Sequence, residues 1–256
     1  PEDMLPELDT HIETGLRTFS ELLASPALIL LGRPGSGKST ELDMARKSGL
    51  LDLESTHLIY RQAKAFEGSA YELLAEVDAK AASGKGVRLV LDGADELLME
   101  NAKFLNSLEA GLEERKRNGN LSSLQLIITC RAAEWPEGML AHLWPQAQFI
   151  VARLCQLDWK SANDFVSKHL GDQTQAFWDE VNALKIHFLA IWPHSLAGLV
   201  ESFRANNGRL PSTLFELVQQ TARRRCDVNH GETDQERRER LHERDVPLAR
   251  SYRLAS

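Results

Sequence analysis

The chain has 256 residues, 43% of them hydrophobic and 26% charged, with a formal net charge of −7. At ~100–200 residues per domain this length holds one large domain or two modest ones, and wholesale disorder is ruled out. The acidic balance argues against broad phosphate-backbone binding, and the longest apolar runs, 27–31 and 188–192, fall far short of the ~20 residues that span a bilayer.

In chain order, Leu5, Leu8, Ile12, Leu16, Phe19 and Leu23 recur at steps of three and four, which predicts an amphipathic helix over 5–24 stopped by Pro26. The acidic start Pro1-Glu2-Asp3 lacks the basic and apolar regions of a secretory signal. Ala27 to Leu31 is a short apolar run closed by Gly32, the form of a strand buried on both faces. A helix is expected from Lys38, a strand near Leu58-Ile59-Tyr60, a helix over Tyr71 to Ala82 and a strand over Val87 to Leu91. Leu97, Leu98, Phe104, Leu105, Leu108 and Leu112 form one helical stripe. A strand is predicted over Leu124 to Thr129, and a weaker one near Phe149-Ile150-Val151. Strands alternating with helices predict an α/β fold with a mostly parallel sheet sandwiched by helices.

From Asp158 the pattern changes. Phe165/Val166/His169/Leu170, Leu196/Leu199/Val200/Phe203 and Leu214/Leu217/Val218 are helical stripes, with Asn207-Gly208 and Pro211 as punctuation. The expected organisation is an N-terminal helix in 1–25, the α/β core in 26–157, a small helical subdomain in 158–226, and a charged linker in 227–256. That last stretch ends in what reads as the start of a further helix, so the chain is expected to be a fragment of something longer. The three cysteines, Cys130, Cys155 and Cys226, are widely spaced, form no metal knuckle and fit a reducing, cytoplasmic setting.

The chemistry concentrates at strand ends. Gly32-Arg33-Pro34-Gly35-Ser36-Gly37-Lys38-Ser39 matches GxxxxGK[ST] and lies between a buried strand and a helix start, as that motif requires. Its glycines let backbone N–H groups wrap phosphate oxygens, the helix N-terminus with Thr40 adds partial positive charge, and Lys38 reaches the β- and γ-phosphates. Ser39 offers its hydroxyl to Mg²⁺. The strand Val87 to Leu91 ends in Asp92, which suits the same metal shell, and Asp95 and Glu96 come next as candidates to orient or activate water. Both also suit a helix N-terminus. The strand ending at Thr129 delivers Arg131 to the same sheet edge, where an arginine can contact a γ-phosphate and report its presence, the alternative being an ordinary surface arginine. Cys130 is expected to pack rather than react, since no histidine lies within ten residues of it along the chain. No [NT]KxD segment is present, which favours adenine over guanine.

At these residues the chain resembles the NACHT domains of the STAND P-loop NTPases. Leu91-Asp92-Gly93-Ala94-Asp95-Glu96-Leu97 is similar to their hhhhDGxDEL box, whereas in AAA+ proteins the glutamate comes directly after the metal-binding aspartate. Ile128-Thr129-Cys130-Arg131 resembles the NACHT sensor, and Leu157-Asp158-Trp159 to Phe165 resembles the family segment C-terminal to that sensor. Trp192-Pro193-His194-Ser195-Leu196 is similar to the proline motif that packs on adenine, which carries that role to Pro193. Gly208-Arg209-Leu210-Pro211 through Leu217 is similar to bacterial members. The resemblance spans roughly residues 20–226.

It implies a regulated switch in which ADP holds a closed monomer, and ATP or dATP with Mg²⁺ and a trigger, such as a viral protein or a nucleic acid, permits self-oligomerisation. An attached effector is then activated, in innate immunity or antiphage defence. It also implies a winged-helix domain beyond the helical one, whose ADP-touching histidine matches none of the eight here. Two other readings stand beside it: an AAA+-like remodeller or nucleic-acid motor that turns over continuously, and a scaffold that holds nucleotide without hydrolysis. Turnover rate and trigger dependence separate the three.

Overall fold

The computed structural model describes residues 16–100, 103–213, 215–217, 219 and 252–254. In order, its elements are β1 (Leu16–Arg17), α1 (Phe19–Leu22), β2 (Ala27–Leu31), α2 (Lys38–Lys47), β3 (Thr56–Gln62), α3 (Ala70–Ala81), β4 (Gly86–Asp92) and α4 (Ala94–Glu100). Next come α5 (Phe104–Arg117), β5 (Leu124–Cys130), β6 (Phe149–Leu154), α6 (Trp159–Leu170), α7 (Thr174–Ala183), α8 (His187–Ala190), α9 (Pro193–Ala205) and β7 (Tyr252–Leu254). The fold is α/β. Two compact units divide between Cys155 and Gln156, and the strand at 252–254 belongs with the first.

In the sheet unit the described strands run in the order β1-β7-β6-β2-β5-β4-β3. From β6 to β3 every neighbouring pair is parallel, while β7 is antiparallel to both β6 and β1. The uniform apolarity of β2 has a direct cause, because alternate residues serve two cores. Ala27, Ile29 and Leu31 join Leu89, Leu91, Leu126 and Ile128 under α3, α4 and α5. Leu28 and Leu30 face the other way, with Val90, Ile127, Leu42 and Ala45. A strand covered on both faces has no use for polar alternation. Register then aligns the strand ends, since Leu31 pairs with Cys130 and Leu91 with Ile128. The C-terminal edge of the sheet therefore gathers the residues just past β2, β4 and β5.

The helical unit has its own core. α6 opens on Asp158, whose Oδ1 accepts a hydrogen bond from the Ser161 amide at 2.6 Å. α9 opens on Pro193, where a fixed φ and a missing N–H suit a first helical turn. It closes at Gly208, whose φ of +83° carries the amide back to the Phe203 carbonyl at 2.9 Å. Phe177 meets Phe203 edge to face at 5.5 Å, and both are buried with Trp178, Leu196 and Leu199.

Several local expectations need correction. The helix expected over 5–24 is only α1 among the described residues: Thr18 and Glu21 form a capping box that starts a helix at Phe19. Leu16 and Arg17 instead pair with Arg253 and Tyr252; residues 5–15 lie outside the described ones. The C-terminal stretch expected to begin a helix holds strand β7, since ladder pairing on two open strand edges outweighs a weak local propensity. The stripe from Leu97 to Leu112 does bury in one core, but it is divided between α4 and α5. Helices α7 and α8 fall outside the predicted stripes. The linker expected from 227 and the residues Leu214 and Val218 lie outside the described residues. Among those described, no helix is long and apolar enough to cross a membrane.

Candidate phosphate-binding site

The loop between β2 and α2 is shaped by two backbone demands. A Cβ at Gly32 would lie 2.5 Å from the Ser36 hydroxyl, so a side chain there would displace Ser36 from its buried place behind the turn that the Ser36 amide closes on the Arg33 carbonyl. Gly37, the residue before α2, has φ +90°, the left-handed conformation that lets the chain swing from loop into helix. Arg33, Pro34 and Gly35 are exposed at the loop tip, and Ser39 and Thr40 are exposed on the first turn of α2. The Lys38 ammonium folds over the loop, donating to the Gly32 carbonyl at 2.8 Å and to Arg33 at 3.3 Å. Burial pulls its pKa below the ordinary lysine value, against the opposing pull of Asp95 and Asp92.

Across from the loop, Asp92 ends β4 and is 5% exposed. Three hydroxyls donate to it: Ser39 Oγ and Thr129 Oγ1 to Oδ1, at 3.0 and 2.7 Å, and Tyr60 Oη to Oδ2, at 3.2 Å. Thr129 also accepts from the Gly93 amide at 2.8 Å, which ties the end of β5 to the turn after β4. Burial first, and then Asp92, raise the Tyr60 phenol above its usual pKa, so it remains a donor.

Asp95 and Glu96 have different surroundings. Asp95 is buried, with Oδ2 against Arg131 Nε at 2.7 Å and Oδ1 accepting from the Arg131 amide at 3.2 Å. One carboxylate thus fixes both the backbone and the side chain of the arginine, whose side chain is 40% exposed. Glu96 is half-buried in the first turn of α4, its carboxylate beside Gly93. The Cys130 thiol is pushed up to about 12 by burial and then by Asp95, which makes it inert packing, as its sequence setting implies.

The structure therefore brings Lys38, Ser39, Asp92, Asp95, Glu96 and Arg131 to one sheet edge, while Pro193 stands in the other unit, at the head of α9. The donor set fits a polyphosphate and a hard divalent cation: a glycine-shaped loop at a helix N-terminus, a partly buried ammonium, and a hydroxyl–carboxylate pair of oxygen ligands. Sequence reasoning missed Tyr60. It sits in an apolar triplet that reads as strand filling, and no spacing rule ties it to Asp92. Thr129 carried a signal, as part of the sensor-like segment, but not its link to Asp92.

No family model and no curated protein matches the chain. Among solved structures it is similar to a KaiC-like protein from the hyperthermophilic archaeon Pyrococcus horikoshii OT3. That likeness has 14% sequence identity and a TM-score of 0.36, and covers 56% of this chain and 79% of the other.

Proposed function

We propose that this chain is the ATP-binding, slowly hydrolysing core of a NACHT-type switch. The observation that carries the reading is the joining of the two segments on which the NACHT resemblance rests. Asp95 of the acidic box holds Arg131 of the sensor-like segment by side chain and amide, beside a loop built for phosphate. Ser39 and Asp92 would hold Mg²⁺, and Lys38 with the loop amides would hold the phosphates of ATP, ADP or dATP. The metal, when bound, neutralises phosphate charge. Glu96, half-exposed with its carboxylate beside Gly93 at the start of α4, is the group suited to orient water. Asp95 has both oxygens engaged, so it serves as the positioning residue for Arg131 rather than as a base. The Nε contact uses one of the five guanidinium donors and leaves others to meet a γ-phosphate.

Control of self-association and of an attached effector, a trigger of viral or nucleic-acid origin, adenine packing on Pro193, a cytoplasmic setting and a role in antiphage defence come from the resemblance. They belong to this proposal on that ground. Lys38→Ala tests its foundation. Calorimetry on the folded variant should show Mg·ATP affinity reduced by about 10–100-fold, the range for losing a charged hydrogen-bonding partner of phosphate. Unchanged affinity in a folded variant would end the phosphate-loop reading. Brisk trigger-independent turnover by the wild-type chain would favour a motor over a switch.

A further inference from the structure

We propose that Tyr60 is a positioning residue for the cation-binding side of this site, its phenol fixing the plane in which the Asp92 carboxylate presents an oxygen to Ser39. The proposal rests on the reading above, that Ser39 and Asp92 together accept a divalent cation. A carboxylate rotates easily about its last torsion, whose preference is broad and nearly two-fold. Oδ1 of Asp92 receives Ser39 and Thr129, and the oxygen behind it, Oδ2, receives Tyr60 at 3.2 Å. Donors on both oxygens hold the carboxylate in one plane.

The tyrosine is itself held from two directions. Along β3 it is in parallel register with Val90 of β4, and Gln62 with Asp92, so the strand ladder sets its height against the carboxylate. Over its ring sits the Arg46 guanidinium, 5.1 Å from the centroid, on the helix that the phosphate loop runs into. Tyr60 thereby joins the strand that bears the acid, through a hydrogen bond, to the helix that bears Ser39, through a cation–π contact. A phenylalanine would fill the same place, so packing does not account for the hydroxyl, and the bond to Asp92 does. Partners that orient ligand carboxylates in this way are worth about 10–100-fold in metal affinity.

The test is calorimetry of ADP binding to the full chain, in EDTA and across a Mg²⁺ titration, for wild type, Tyr60→Phe, Asp92→Asn and the double variant, with unfolding temperatures taken without ligand. Tyr60→Phe should raise the Mg²⁺ concentration for the half-maximal gain in ADP affinity by about 10-fold and leave the affinity in EDTA unchanged. In the Asp92→Asn background the same substitution should add nothing to the Mg²⁺ requirement. An unaltered Mg²⁺ requirement in Tyr60→Phe overturns the proposal. So does an equal loss with and without Mg²⁺, or a variant that fails to fold, because either assigns the hydroxyl to stability alone. A wild-type ADP affinity indifferent to Mg²⁺ overturns the site reading itself and Tyr60's role with it, whereas wild-type protein that binds no ADP in either condition fails at the loop.

Discussion

Asp95 keeps both carboxylate oxygens on Arg131, one at the side chain and one at the amide, while its chain neighbour Glu96 stays half-exposed beside Gly93. Adjacent positions at the start of a helix point about 100° apart, so one acid turns into the sheet edge and the other toward solvent. Their substitutions should separate accordingly. Asp95→Asn is expected to lower the preference for a non-hydrolysable ATP analogue over ADP by about 10-fold, because it removes the charge that fixes Arg131. Glu96→Gln should retain both affinities and slow single-turnover hydrolysis by about 10²–10⁴-fold. Equal hydrolysis rates in Glu96→Gln and wild type would move the water-orienting role elsewhere. Cys130 offers a separate check. With its thiol pushed up to about 12 and fully buried, only on the order of 10⁻⁴ of it is thiolate at pH 8. Brief alkylation at that pH and then peptide mapping should mark the partly exposed Cys155 and leave Cys130 untouched.

Strand β4 shows how a whole element accommodates one polar residue. Arg88 sits near its N-terminal end at 3% exposure, and burial lowers its pKa from the ordinary arginine value. The guanidinium is satisfied by Gln125 Oε1, from Nε at 2.5 Å, and by the Leu50 carbonyl, from Nη1 at 2.8 Å. Gln125 in turn donates to the carbonyls of Leu23 and Ser25, so β4, β5 and the turn before β2 are tied at the end of the sheet away from the phosphate loop. Gln125→Leu would strand a buried charged donor. The expected cost is about 1–3 kcal/mol, which at 2–4 °C per kcal/mol is a clear fall in unfolding temperature. Nucleotide affinity should hold, since the network lies at the opposite strand ends. A variant as stable as wild type would mean that water replaces the glutamine.

For the sheet unit as a body, the decisive feature is that β7 fills the gap between β6 and β1 with antiparallel pairs on both sides. Without it β6 becomes an edge strand with open N–H and C=O groups, and β1 loses the partner that makes it a strand. Deleting residues 251–256 is therefore expected to lower the unfolding temperature of the sheet unit by several degrees and to promote self-association through β6. Thermal unfolding with light scattering reads both. An unchanged melting temperature and a monodisperse product would show that β7 adds nothing to the fold. The phosphate loop sits on β2, inside that edge, so the truncated chain should still bind Mg·ATP.

The features legible in the chain alone are those with local physical causes. Ala27 to Leu31 reads as a doubly buried strand because each of its side chains must find a core. Gly32 to Ser39 reads as a phosphate loop because the turn and the helix start demand glycines at set positions. That Asp92 and Arg131 lie near that loop is legible because a parallel sheet collects the ends of its strands at one edge. Other features depend on partners distant in sequence, which periodicity does not contain. Leu16 and Arg17 become a strand only when they meet Arg253 and Tyr252, and Arg88 tolerates burial only because Gln125 arrives beside it. Asp95 and Glu96 look interchangeable until Arg131 claims one of them. Tyr60 looks like filling until folding sets its hydroxyl 3.2 Å from Asp92, a residue 32 positions away. Short-range periodicity encodes which face is buried, but hydrogen-bond partners are chosen by the packed chain, where an unmet buried polar group is costly enough to select one arrangement.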